Sequence, residues 1–228
     1  MAEGSKLDRF PDEVTLKGAA QLARRIGQEK VVDDADLLES YGRDESHVAP
    51  VLPAAVVRAR SAADVEATLA VAGEWGIPVT PRGTGTGKSG GAIPLRGGLV
   101  LSLAAMDQIV DIDRENLVAV VQPGVITGRL HEAVEAEGLF FPPDPASLET
   151  CCLGGNAAEN AGGPRAFKYG VTSQYVLGVN LALASGQSLS IRIAASLMAH
   201  LRWWLPIFLL LCPAHLPSDS LTGRINLA

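Results

Sequence analysis

The sequence predicts an α+β fold in which short strands outnumber helices, and three observations indicate it. Strand-like and helix-like segments alternate through residues 54–80, short apolar runs separated by turns continue from residue 99, and many of the 24 glycines are concentrated in two stretches. The 228 residues are 47% hydrophobic and 19% charged. This length and composition indicate a globular chain with a buried core and exclude a disordered or collagen-like one.

The first elements follow from apolar spacing and from capping residues. Apolar residues at helical spacing predict a helix at residues 16–26. Residues 54–60 are typical of a strand, and Ser61 is a favourable N-cap for the helix that Gly76 then ends. A further strand at residues 77–80 completes a β-α-β unit.

The second half of the pattern contains more strands than helices. Three short strands are predicted at residues 99–103, 108–113 and 117–122, followed by a helix at residues 126–137 and a hairpin of residues 176–184 and 187–193. Within that helix, His131 stands beside Glu132 and Glu135 and is expected to face solvent.

A glycine-rich loop, PRGTGTGKSGG at residues 81–91, directly follows a predicted strand, where backbone amides can turn toward a phosphate. A P-loop is one interpretation, but Arg82 stands where that motif requires glycine, and no helical pattern follows Ser89. A GxGxxG dinucleotide motif also requires a helix after the loop. We favour a wide loop that wraps a pyrophosphate, with Arg82 and the hydroxyls of Thr84, Thr86 and Ser89 as further donors.

A second segment, PPDPASLETCCLGGNAAENAGGPRAFKYGVT at residues 142–172, combines Asp144 with two glycine pairs and two asparagines. Uncharged amide and backbone groups suit the edge of a heteroaromatic ring. Cys151 and Cys152 in this segment are expected to be buried thiols, with a redox or covalent role as the alternative. Arg165 and Lys168 suit either phosphate neutralisation or a solvated surface.

With both segments in this order, residues 31–190 resemble flavoproteins that have the FAD-binding domain of the p-cresol methylhydroxylase and vanillyl-alcohol oxidase type, with two small α/β subdomains. Within that family the resemblance is to the glycolate oxidase flavin subunit and the D-lactate dehydrogenases. It implies that the first loop wraps the FAD pyrophosphate and that the second segment lines the flavin. The cofactor-binding residues that it implies are Arg82, Gly83, Thr84, Gly85, Thr86, Gly87, Ser89, Gly90, Pro143, Asp144, Gly154, Gly155, Asn156, Asn160, Gly162 and Gly163.

The resemblance also implies an activity and an attachment mode. Such flavoproteins oxidise a 2-hydroxy acid by hydride transfer to the flavin while a base takes the hydroxyl proton. Some hold the flavin covalently through a histidine in the first loop, and Thr86 stands at that position here, so non-covalent FAD is expected. The implied partners are a small 2-hydroxy acid and an electron-accepting subunit.

The resemblance stops near Ser190, after which only Arg192, Arg202, Asp219 and Arg224 are charged. We expect a helical lead-in at residues 1–48, a partial FAD-binding domain at residues 49–190, and an atypical apolar tail at residues 191–228. We expect the family's substrate-binding cap and catalytic C-terminal part to be missing, because neither is recognisable after Ser190, so the catalytic residues stay unassigned.

Two explanations of the tail stay open. One is a truncated family member with a shifted reading frame, a gene end or a fusion, and the other is a natural short variant whose tail completes the sheet. The chain is accordingly either a fragment of an FAD-dependent oxidoreductase or a non-catalytic FAD-binding module that works with a second polypeptide. An NTP-binding protein is the third alternative, from Gly87-Lys88-Ser89.

Charge, cysteines and hydropathy limit the remaining functions. A net charge of −6 without a basic cluster argues against nucleic-acid binding. The three cysteines form no CxxC, and His200 and His215 form no HxxxH, so no metal site is expected. The apolar run at residues 203–212 is much shorter than the roughly 20 residues of a spanning helix, and we expect no membrane contact through it. Without a secretory signal pattern near the start, a cytoplasmic location is expected.

Overall fold

The chain folds into two sheets, each with its own apolar core. The computed structural model describes residues 10–192 and 223–226. The helices are α1 (Asp12–Ile26), α2 (Ala35–Leu38), α3 (Ala62–Trp75), α4 (Thr127–Ala136), α5 (Leu153–Glu159) and α6 (Ala166–Tyr169). The strands are β1 (Val31–Val32), β2 (Ala55–Arg58), β3 (Val79–Arg82), β4 (Leu99–Ser102), β5 (Ile109–Asp113), β6 (Val118–Val121), β7 (Val176–Ala182), β8 (Ser188–Arg192) and β9 (Gly223–Asn226).

The first sheet has the order β1-β2-β4-β3 and confirms the predicted β-α-β unit. Strands β2, β4 and β3 run parallel, and α3 provides the crossover that parallel pairing requires. Leu22 of α1, Val65 of α3 and Leu101 of β4 pack in one core. Strand β1 pairs antiparallel with β2, so the lead-in contributes both a helix and a strand to this layer.

The parallel strands place the glycine loop at one edge of the first sheet. Arg82, the last residue of β3, is aligned with Ser102, the last residue of β4. The loop that follows Arg82 therefore leaves the sheet at the carboxyl edge of its parallel strands, which is where ligands bind in open parallel sheets.

Helix α3 begins and ends as its sequence predicts. The Asp64 backbone N–H donates to Ser61 Oγ at 3.2 Å, and the Ser61 backbone N–H donates to Asp64 Oδ2 at 3.1 Å. These reciprocal bonds satisfy amides that the first helical turn leaves without partners. At the other end, Gly76 adopts a left-handed conformation with φ of 65°, which glycine accepts without steric cost.

Asp64 also forms a mostly buried ion pair with Lys30. We therefore expect Asp64→Asn to lower the free energy of unfolding by about 2 kcal/mol at neutral pH. Its carboxylate accepts from Lys30 Nζ at 2.7 Å. Burial raises the pKa of the Asp64 carboxyl, but the bonds from Lys30, Arg60 and Ser61 outweigh burial and hold this pKa below its ordinary value.

Because the pKa of Asp64 is lower in the folded than in the unfolded state, its ionised carboxylate stabilises the fold. This stabilisation is fully present above the unfolded-state pKa and is lost as the pH falls through the folded-state pKa. The stability difference between wild type and Asp64→Asn should therefore shrink below about pH 4 in urea unfolding curves. Asp111→Asn, the same change at an exposed strand position, is the control and should alter stability by less than about 0.5 kcal/mol. A pH-independent difference would contradict this account.

The second sheet has the order β5-β6-β9-β7-β8 and is antiparallel throughout. The predicted hairpin is present as β7 and β8. Between β6 and β7 lies β9, whose Ile225 is 2% exposed and packs with Val121 and Leu130. Residues 223–226 of the tail thus complete the sheet. The rest of the tail, including the run at residues 203–212 and His200 and His215, lies outside the described residues.

The prediction that His131 faces solvent is wrong. Its side chain is 6% exposed, its ring packs edge-on against Phe141 at 5.7 Å, and its Nε2 donates to the Pro143 carbonyl oxygen at 2.9 Å. His131 follows Thr127 by four residues and precedes Val134 by three, so it lies on the buried face of α4. The hydrogen bond and the aromatic contact offset the free-energy cost of burying this polar ring.

Candidate functional site

A cavity of about 470 Å³ lies between the first glycine loop and α5. This volume falls in the range of small-molecule sites. Ten of the residues predicted to bind the cofactor line it: Arg82, Gly83, Thr84, Gly85, Thr86, Gly87, Ser89, Gly154, Gly155 and Asn156. The fold therefore brings together two segments that are about 70 residues apart in sequence.

The first loop presents a row of free backbone amides. No N–H group from Gly83 to Gly90 donates a hydrogen bond to any part of the chain that the structure describes. The hydroxyls of Thr84 and Thr86 likewise have no partner among those residues. Because unpaired amides are costly unless water or a ligand satisfies them, this loop is suited to bind an anion with many acceptor oxygens.

Arg82 fixes the base of this loop. Its Nη1 donates to the Arg43 carbonyl oxygen at 2.7 Å and its Nη2 to that of Ser40 at 3.2 Å, while its guanidinium lies 5.7 Å from the Tyr41 ring centroid. Burial lowers its pKa more than the charges of Asp44 and Tyr41 raise it. The two terminal nitrogens thus hold the lead-in against β3, and a bond from Arg82 to phosphate stays a prediction.

The opposite wall is formed by α5 and the cysteines before it. A Cβ on Gly154 would lie 2.7 Å from Pro123 Cβ, so this glycine allows α5 to pack against the turn after β6. Gly155 is more open, because its Cβ would meet only Cys152 Sγ, at 3.5 Å. Asn156 is buried and donates from Nδ2 to Thr127 Oγ1 at 2.6 Å.

The two walls meet at Gly83. A Cβ at this position would overlap Cys152 Sγ, so only glycine allows the loop to approach the second segment so closely. Cys151 and Cys152 are free, buried thiols that line the cavity, as the expected structural role requires. Among the residues described, no group of three or more His, Cys, Asp or Glu side chains has the geometry to hold a metal ion.

The residues fit a dinucleotide better than a triphosphate held by a P-loop. After Ser89 the chain continues through turns to β4, without the helix that the P-loop and the GxGxxG motif both require. Lys88 is exposed and pairs with Glu45 at 2.8 Å. A wide amide-lined loop facing a second segment rich in glycine matches the favoured interpretation.

Comparison with known proteins decides the family. The model of a family described as an FAD binding domain matches residues 53–192. The chain belongs to this FAD-binding domain family. The match ends at the last residue of β8, close to the point at which the resemblance was expected to stop.

Individual relatives of this FAD-binding domain agree. Glycolate oxidase subunit GlcD of Bacillus subtilis (strain 168) is 44% identical over 173 residues, which are 76% of this chain and 37% of that protein. D-lactate dehydrogenase of Anaerostipes hadrus is 38% identical over 165 residues, 72% of this chain and 34% of that protein. The structure of p-cresol methylhydroxylase with substrate bound matches with a TM-score of 0.71 at 20% identity, covering 95% of this chain and 44% of that one.

Two conclusions follow from these comparisons, one for the fold and one for the cofactor. The predicted α+β fold of the p-cresol methylhydroxylase type is confirmed, and FAD is the cofactor of the family to which the chain belongs. The chain spans 37% of the length of the Bacillus subtilis relative.

Six predicted residues of the FAD-binding domain lie outside the cavity wall: Gly90, Pro143, Asp144, Asn160, Gly162 and Gly163. Several of them visibly shape the loops behind the wall. Asp144 Oδ1 accepts from the Arg165 backbone N–H at 3.0 Å, and Asn160 Oδ1 accepts from that of Ser173 at 3.0 Å. Gly163, with φ of 108°, allows the Asp144 carbonyl to approach closely. Direct cofactor contacts by these six stay predictions.

The sequence did not single out several residues of the wall, including Asp44, Pro123, Pro145, Ser147 and Glu159. Pro123 precedes Gly124 in a turn, a recognisable signal. Asp44 and Glu159 are ordinary acidic residues in sequence, and only the three-dimensional fold places them beside the loop.

Proposed function

We propose that the chain binds FAD non-covalently and represents the cofactor-binding part of an FAD-linked dehydrogenase for a small 2-hydroxy acid. The observation that carries this proposal is the row of amides from Gly83 to Gly90 that have no partner among the described residues, in a loop whose residues 83–87 line the same cavity as Gly154 and Gly155 of α5. These amides and the hydroxyls of Thr84 and Thr86 would bind the pyrophosphate, and Gly155 would border the flavin. When bound, the flavin supplies the hydride acceptor.

Non-covalent attachment is supported by the nature of the side chains in the loop. Thr86 stands at the position where some members of the family carry a histidine bonded to flavin. The cavity-lining thiols are buried, and Cys152 Sγ lies against Gly83. Flavin that stays entirely in the supernatant after acid precipitation of the protein would agree with this proposal, and flavin that precipitates with the protein would contradict it.

A second candidate, a cofactor module that needs another polypeptide for catalysis, is favoured by the titratable groups of the cavity. Those among the described residues are Asp44, Arg82, Cys151, Cys152 and Glu159, without a histidine. A base for the hydroxyl proton works best when its pKa lies near the working pH.

Asp44 is unsuited to that role. Burial raises the pKa of its carboxyl, but hydrogen bonds from Ser46 and Ala92 and the charge of Arg82 outweigh burial and hold this pKa below its ordinary value. In this second candidate, the base for the hydroxyl proton is supplied by another polypeptide. One such partner class is an electron-accepting subunit, since the Bacillus subtilis relative is itself named a subunit.

The flavin absorbance of the purified chain, after addition of FAD and gel filtration, tests the proposal. We expect the flavin band to co-elute with the protein. Bleaching by D-lactate or glycolate, with L-lactate as a stereochemical control, would identify a dehydrogenase, and a stable band would identify a module. A folded chain that retains no flavin but is stabilised against heat by ATP would contradict both and favour the NTP-binding alternative.

The described residues also bear on location. No helix among them is long and apolar enough to cross a membrane. We propose a cytoplasmic location, because Cys151 and Cys152 are free thiols, as is usual in a reducing compartment.

A further inference from the structure

A side-chain hydrogen bond joins the glycine loop to the end of α5. Ser89 Oγ, in the glycine loop, donates to Glu159 Oε1, at the end of α5, over 2.9 Å. The carboxylate also lies close to the loop backbone, because a Cβ on Gly91 would be 3.2 Å from the same oxygen. Both Ser89 and Glu159 line the cavity.

This contact conflicts with the binding of a phosphate. A serine hydroxyl has one proton to donate, so Ser89 cannot donate to Glu159 and to a phosphate oxygen at the same time. A carboxylate beside a bound pyrophosphate also repels it. Two further carboxylates lie near the loop. Glu45 is paired with Lys88 and Asp44 is stabilised by the charge of Arg82, whereas Glu159 has no ion pair within the described part of the chain.

We propose that Glu159 restrains FAD binding by holding Ser89 in a latch that the cofactor must displace. This inference rests on the proposed function, since it names a regulating residue of the same site. In the FAD-free chain the latch ties the tip of the loop to α5. When FAD enters, the Ser89 hydroxyl exchanges the carboxylate for a phosphate oxygen, and Glu159 is left as an unfavourable neighbouring charge. Glu159 is thus a positioning residue that lowers affinity.

Titration of the FAD-free chain with FAD, followed by flavin fluorescence at low and high salt, tests the latch. Glu159→Gln removes the charge, and we expect its Kd for FAD to be about fivefold lower than that of wild type at low salt, the range of an exposed charge interaction. The gain should shrink at high salt because the charge is then screened. Glu135→Gln, the same change at an exposed position of α4, is the control and should leave Kd unchanged.

A double-mutant cycle distinguishes the latch from simple charge repulsion. In a Ser89→Ala background Glu159 has no hydroxyl to hold. The increase in FAD affinity caused by Glu159→Gln should therefore be clearly smaller than in wild type. An equal gain in both backgrounds, or no gain in wild type, would overturn the latch. If wild type bound no FAD, the proposed function itself would be wrong. If wild type bound FAD and Glu159→Gln left the affinity unchanged, only the latch would be wrong.

Discussion

Replacing Gly155 with aspartate is expected to abolish FAD retention while the chain stays folded. A Cβ at Gly155 meets only Cys152 Sγ at the ordinary distance of 3.5 Å, and the backbone there is helical, so the fold accepts a side chain. An aspartate would add volume and negative charge to the cavity. The glycine loop lines the same cavity, and its amides from Gly83 to Gly90 have no partner among the described residues. We expect the Kd for FAD to rise at least about a hundredfold, equivalent to roughly 3 kcal/mol.

Gly155→Ala is the matched control for this substitution. A methyl group adds little volume, and alanine favours a helix by about 1 kcal/mol over glycine, so this variant should melt no lower than wild type and keep its flavin. The flavin-to-protein absorbance ratio after gel filtration measures retention, and thermal melting reports the fold. Full flavin retention by Gly155→Asp would show that α5 does not border the cofactor.

Replacing Ile225 with aspartate is expected to lower the free energy of unfolding by about 4 kcal/mol, because it buries a carboxylate and removes an apolar side chain. Ile225 is 2% exposed and packs in the core of the second sheet. Ile225→Val should cost only about 1 kcal/mol. Urea unfolding at neutral pH provides the measurement.

Ile191→Asp is the matched control, since Ile191 on the outer strand β8 is 36% exposed. It should change stability by about 0.5 kcal/mol or less. If Ile225→Asp and Ile191→Asp were equally mild, β9 would not lie between β6 and β7.

Local signals in the sequence predicted much of the fold. The ends of α3 are determined by Ser61 and Gly76, whose side chain and backbone preferences act within a few residues. The position of the glycine loop was predictable for the same reason, since clustered glycines directly after a strand mark the loop at the end of that strand. For His131, the neighbouring Glu132 and Glu135 indicated exposure, whereas its spacing from Thr127 and Val134 places it on the buried face of α4.

Long-range contacts account for what the sequence could not predict. The bond between Ser89 and Glu159 joins residues 70 positions apart. The hydrogen bonds from the Arg82 guanidinium to the backbone carbonyls of Ser40 and Arg43 also join residues that are far apart in sequence. Strand order is also set by packing and not by sequence proximity, so no pattern near residues 223–226 could show that they enter the middle of a sheet.

The central place of β9 has a consequence for how the protein is made. Val118 of β6 pairs with Asn226 of β9, roughly a hundred residues later, so the second sheet depends on contacts of high contact order. The strands of the first sheet all lie within residues 31–102 and can pair early during synthesis. The second sheet must wait until residues 223–226 have left the ribosome, and until then the edges of β6 and β7 are open to pairing with other chains.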